Sequence, residues 1–162
     1  MDGNVGRPLK GAKVDLWHCD AIGVYSDEPN GGGGENTLGQ NWLRGYQITD
    51  KTGYADFKTI WPGWYPGRTI HYHFKVRHQI NGQTYDFTSQ FFINDALNDV
   101  VMAQPPYNSR GNRGTRNSND GIYRTRQADN SFAGDHLLLT IKDNPAGGKI
   151  GQFDIAFDIP GQ

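Results

Sequence analysis

Residues 61 to 73, Trp-Pro-Gly-Trp-Tyr-Pro-Gly-Arg-Thr-Ile-His-Tyr-His, bring a phenol, a guanidinium and a His-x-His pair into one short stretch. If the chain is a strand from Thr69 onward, alternation sets His71 and His73 on one face and Tyr72 on the other. Two imidazoles so placed can reach a single transition-metal ion. Tyr65 stands six residues before His71, across a Pro-Gly turn able to swing its phenol back toward them. Arg68, three residues before the first histidine, adds a cation beside the proposed metal. Spacing alone leaves a second account open, in which the pair are ordinary hydrogen-bonding strand histidines.

Composition narrows the setting. With 162 residues the chain is long enough for one domain with a substantial core. Its 16 Lys+Arg against 17 Asp+Glu give a formal charge of -1, which argues against nucleic acid as a partner. The 22 glycines and 8 prolines fit a loop-rich β protein better than a helical one. No apolar run approaches the roughly 20 residues that span a bilayer, so no membrane association is expected. The start, Met-Asp-Gly-Asn-Val, lacks the basic and apolar regions of a signal peptide. The single Cys19 has no partner for an internal disulfide. These features favour the cytoplasm, and secretion stays open if a leader has been removed.

The elements that must carry the motif read as short strands between turns. Ala12, Val14 and Leu16 alternate with Lys13, Asp15 and Trp17, predicting a half-buried strand from about Gly11 to Cys19. Residues 31 to 34 are all glycine and read as loop. Trp42 to Thr49 and Tyr54 to Ile60 are predicted strands joined by Asp50-Lys51-Thr52-Gly53. Thr69 to His78 and Thr84 to Phe92 flank Asn81-Gly82, a strong hairpin signal. Asn94 to Met102 is a short helix capped by Asn94 or Asp95. Residues 104 to 121 are polar and read as a long surface loop. His136 to Lys142 and Lys149 to Ile159 close the chain as strands. This pattern predicts an all-β protein, an antiparallel β-sandwich with long loops and at most one short helix.

Several motifs recur in a family's order. Pro8-Leu9-Lys10-Gly11-Ala12-Lys13-Val14-Asp15-Leu16-Trp17-His18 comes first, then Leu43-Arg44-Gly45, Thr49-Asp50 and Gly53. Pro62-Gly63-Trp64-Tyr65, Arg68 and His71-Tyr72-His73 follow. From about Pro8 to Phe92 the chain resembles the intradiol ring-cleavage dioxygenases. The resemblance implies a prealbumin-like sandwich spanning residues 1–162 as one catalytic domain, with one non-haem Fe(III) ion held by Tyr25, Tyr65, His71 and His73. It implies catalytic roles for Arg68 as charge stabiliser, Gln90 as the group that fixes Arg68 or the substrate, and Tyr65 as the tyrosinate that leaves the metal. The implied reaction opens the ring of catechol or a substituted catechol with O2, giving a cis,cis-muconate-type product.

The ligand set is chemically coherent in its own right. Two phenolates are hard anionic donors suited to a trivalent ion, and imidazole suits iron. Structural zinc would call for cysteines that the chain lacks. An Fe(II) oxygenase would pair two histidines with a carboxylate, and none stands beside His71 and His73 in sequence.

Other residues carry blander expectations. His18 is structural, and His78 and His136 are background. Trp61, Trp64 and Tyr46 line a pocket or merely pack. Arg110, Arg113, Arg116, Arg124 and Arg126 form a solvated basic loop, and the glycine tract is a linker or a cover. Relatives often carry a helical N-terminal dimerisation domain or a longer lead, so a truncated or minimal form is expected here. Gly6 and Arg7 stand where secreted relatives place a partner for Cys19. A homo-oligomer is therefore admitted but not required. From another class, a non-catalytic β-sandwich binding module that kept the scaffold is the alternative.

Overall fold

The computed structural model describes residues 7–30 and 35–156. Six strands follow in order: β1 (Lys13–Trp17), β2 (Arg44–Ile48), β3 (His71–Ile80), β4 (Gln83–Phe92), β5 (Thr140–Asp143) and β6 (Lys149–Gln152). One α-helix, α1 (Asp95–Met102), lies between β4 and β5. The first four strands form a sheet in the order β2-β1-β3-β4, and β5 pairs with β6. Every pairing between these strands is antiparallel. The all-β, antiparallel expectation with one short helix holds.

Strand alternation separates the core from the functional face. Val14 and Leu16 pack with Phe74, Val76 and Ala12, and Leu9, Phe91 and Ile155 complete that cluster. Phe74 is fully buried, which is worth about 2 kcal/mol relative to exposure. Its ring stacks on Phe91 at 4.1 Å between centroids, and Phe153, just beyond β6, reaches Phe91 at 4.8 Å. The chain after β6 therefore closes over the first sheet. The opposite face presents a transverse row, because Trp17 pairs with both Arg44 and His73, and His73 pairs with Gln90.

Turn chemistry explains why β3 and β4 are long. Ile80 pairs with Gln83 across Asn81 and Gly82, whose φ angles are 51° and 78°. Two left-handed residues make the tight turn whose twist matches the strands it joins. The helix begins where Asn94 accepts a hydrogen bond from the Ala96 amide at 2.9 Å, as the capping rule expects. A second core gathers Ile70, Ile93 and Met102 with Trp61, Trp64 and Tyr107 under this helix. No described helix is long and apolar enough to cross a membrane.

Three expectations need correction. Residues 54 to 60 form no strand, and Tyr54 and Ile60 are exposed. The segment's groups are taken by side chains instead of a ladder: Thr59 Oγ1 meets His18 Nε2 at 2.7 Å, and Ile60 O accepts from Tyr72 Oη at 3.1 Å. His136 sits in a 3-10 turn, Ala133–Leu137, closed by Asp135 accepting from the Phe132 amide at 3.2 Å. The last strand ends at Gln152, while Phe157, Ile159 and the glycine tract lie outside the described residues.

Candidate metal centre

Four donor atoms converge at the end of β3. Tyr25 Oη and Tyr65 Oη each lie 3.3 Å from His71 Nε2, and His73 Nε2 lies 3.1 Å from it. His71 Nδ1 donates to the Thr69 carbonyl at 2.6 Å, so the Nε2 lone pair faces the cluster. The His73 ring lies flat on Trp17, 5.0 Å between centroids and 5° between planes. Both imidazoles are thus locked, one by a hydrogen bond and one by stacking.

Loops deliver the phenols. Tyr25 follows Gly23 (φ 82°), and its carbonyl accepts from Thr37 Oγ1 at 2.6 Å. Arg44 holds the next residue, Ser26, through Nη2 to its carbonyl at 2.7 Å. Tyr65 occupies the Pro-Gly turn before β3, with Pro66 and Gly67 exposed beyond it. The two loops touch backbone to backbone, Gly63 N donating to Asp20 O at 2.8 Å.

Behind the donors stands a charged layer. Arg68 donates from Nε to Asp120 Oδ2 at 2.9 Å and from Nη2 to Gln90 Oε1 at 2.5 Å. Burial opposes ionisation of Asp120, but the Tyr123 and Thr69 amides and Arg68 outweigh it and hold the carboxyl below its usual range. Among the described residues, no three His, Cys, Asp or Glu side chains gather closely enough to share a metal. Two phenols stand beside the two imidazoles instead.

A family model described as Dioxygenase matches residues 1–97. The fold superposes on an intradiol ring-cleavage dioxygenase from Tetranychus urticae with a TM-score of 0.73 at 30% identity, over 93% of this chain and 73% of that one. The chain belongs to the intradiol ring-cleavage dioxygenase family. Catechol 1,2-dioxygenase of Candida albicans is 29% identical over 123 residues, 60% of this chain and 39% of that protein. The chain therefore spans about two fifths of that curated relative's length. The dioxygenase domain of a dioxygenase carbohydrate-binding protein fusion from Streptomyces sp. SirexAA-E superposes with a TM-score of 0.59 at 26% identity, over 93% of this chain and 70% of that one.

In this member of the family the six residues singled out from sequence, Tyr25, Tyr65, Arg68, His71, His73 and Gln90, lie together. The other candidates do not join them. His18 is buried and hydrogen-bonded at both ring nitrogens, to Cys19 O and Thr59 Oγ1. Tyr46 is exposed on β2 with the Lys13 ammonium 3.7 Å over its ring. Trp61 donates to Asn98 Oδ1 at 3.0 Å inside the second core. Arg113 is a correction to the solvated-loop reading, since its side chain is only 3% exposed and pairs with Asp95 and Asp99. Asp120 was missed. It lies in the segment read as surface loop, and nothing in its neighbourhood Asn-Ser-Asn-Asp-Gly points to an arginine 52 residues earlier.

The electrostatics make the cluster acid-sensitive. Burial, then Arg68 and His73, lowers His71 from 6.5 to about 3. Burial, then Arg68 and Arg44, lowers His73 to about 4. Both rings are neutral in the fold, while the unfolded chain protonates them near 6.5. Between these values the unfolded state binds more protons, so the stabilisation is complete above 6.5 and drains away as pH falls toward 4 and 3. The metal-free protein is therefore expected to melt at a lower temperature at about pH 5 than at about pH 7, and a His71→Gln, His73→Gln variant to show a shallower fall. Equal slopes for the two proteins would refute this assignment. Burial also raises both phenols above their ordinary range, so a bound cation is what would ionise them.

Proposed function

We propose that this protein opens the ring of catechol or a substituted catechol between the two hydroxylated carbons, using O2, on one ferric ion held by Tyr25, Tyr65, His71 and His73. The reading rests above all on two phenols and two imidazoles meeting at His71 Nε2. A hard trivalent ion suits two anionic oxygens and two neutral nitrogens. When bound, the iron supplies a Lewis-acidic centre that chelates the catechol and draws electron density from its ring.

The chain's own residues divide the remaining work. Tyr65 Oη is the base that takes a catechol proton, since its loop ends in exposed Pro66-Gly67 and has room to shift. Tyr25 is pinned through Thr37 and Arg44 and stays in place. Arg68, whose guanidinium is already held by Asp120 and Gln90, stabilises charge developing on the ring without reorganising. Gln90 fixes Arg68 from the β4 side.

Metal analysis, colour and product spectra test the reading. Iron-loaded protein should be red-brown from phenolate-to-iron charge transfer, and catechol with O2 should give a muconate absorbing in the ultraviolet. A protein that stays colourless after loading returns the binding-module alternative, and a yellow semialdehyde product would mean extradiol cleavage. Arg68→Ala should keep its iron yet turn over about 10²-fold more slowly. Loss of iron in that variant would show Arg68 to be structural.

A further inference from the structure

Asp120 is a fully buried carboxylate whose two oxygens are both saturated. Oδ1 accepts from the Ile122 and Tyr123 amides at 2.9 and 2.8 Å. Oδ2 accepts from Arg68 Nε at 2.9 Å and from the Thr69 amide at 2.8 Å. One oxygen atom thus anchors two consecutive residues of the segment leading into β3. The Thr69 carbonyl in turn receives His71 Nδ1–H at 2.6 Å. The same anchor therefore orients a guanidinium directly and an imidazole through one intervening residue.

The carboxylate is itself held. Asn117, three residues earlier, accepts from Thr69 Oγ1 at 2.7 Å and donates to the Ile93 carbonyl at 2.9 Å. Its backbone N–H donates to Asp95 Oδ2 at 3.1 Å, and Arg113 and Arg116 pair with Asp99, so the segment is fastened to α1. Burying a carboxylate is costly unless it is paired and hydrogen-bonded. Here it is paired with a cation whose side chain keeps 19% of its surface exposed. Asp120 and Gln90 engage Nε and Nη2 of Arg68, and among the described residues Nη1 has no protein partner. The guanidinium is gripped at one edge and open at the other.

We propose that Asp120 is a positioning residue: it clamps Arg68 so that the open edge of the guanidinium faces the reacting ring, and it holds the Thr69 backbone that orients His71. Its part in turnover rests on the ring-cleavage reading above, whereas the clamp itself does not.

The test is a double-mutant cycle in iron-loaded protein with catechol and O2, combined with nuclear magnetic resonance of the Arg68 side chain. Asp120→Asn preserves shape and should lower kcat about 30-fold with KM changed less than about 3-fold and iron retained. In an Arg68→Ala background the same substitution should lower kcat at least about 3-fold less than in the parent, because the guanidinium it clamps is gone and only its hold on Thr69 and His71 remains. An equal loss in both backgrounds overturns the proposal in favour of a general structural role. Independently of turnover, Arg68 Nε–H, identified by its absence in Arg68→Lys, should exchange slowly in the parent protein and at least about 10-fold faster in Asp120→Asn. Equal exchange in the two proteins overturns the clamp. A parent protein with a protected Nε–H and no ring cleavage would support the clamp and overturn the ring-cleavage reading alone.

Discussion

His71→Ala is expected to remove iron and colour from the protein together. His71 Nε2 is the atom on which the other three donors converge, at 3.1 to 3.3 Å, and the ring is only 2% exposed. Water entering the space left by the ring would be a neutral ligand with no fixed direction. The loss should exceed the roughly 10–100-fold in metal affinity that removing a supporting partner costs. Iron per chain after dialysis against a chelator, read with the visible spectrum, measures it. His136→Ala is the control, since that ring is 59% exposed and among the described residues meets only Ser131 and Asp129. Equal iron retention in the two variants would refute the proposed ligand set.

Gly63→Ala should be strongly destabilising although it adds a single methyl group. A Cβ there would stand 2.4 Å from the Ala21 carbonyl oxygen and 2.7 Å from the Gly23 amide nitrogen, both backbone atoms with no side-chain freedom to retreat. Gly23 meets the same crossing from the other side, its Cβ position 2.1 Å from Trp64 O. Each glycine stands two residues before a site tyrosine, so parting the loops also parts Tyr25 from Tyr65, whose rings now meet edge to face at 5.6 Å. Overpacking of this kind costs about 3 kcal/mol or more when the neighbour cannot move. Gly114→Ala, with open space around the added methyl, should stay within about 0.5 kcal/mol. Denaturant midpoints compare them, and coincident midpoints would show that the loops do not cross so closely.

Where local chemistry decides the conformation, the sequence was enough. Asn81-Gly82 specified the β3–β4 hairpin because only left-handed residues close so tight a turn, and that hairpin sets His73 opposite Gln90. Val14 and Leu16 announced a core-facing strand by period alone. Tyr54 to Ile60 misled because alternation reports that a segment is extended, not that a neighbouring strand is there to pair with it. Arg113 and Asp120 were illegible for a related reason. Both sit in polar, turn-rich stretches that look solvated, and their burial depends on acids and an arginine supplied from elsewhere in the chain. Tyr25 became legible only through the family resemblance, since its place beside His71 depends on the fold.

The flat stack of Trp17 on His73 has an optical consequence. Its indole lies one imidazole away from wherever an ion bound at His73 Nε2 would sit. A ferric ion there would accept excitation energy from that ring, so the protein would carry its own gauge of occupancy. The fraction of chains holding metal could then be followed in solution, without added dye, by the dimming of the protein's tryptophan emission.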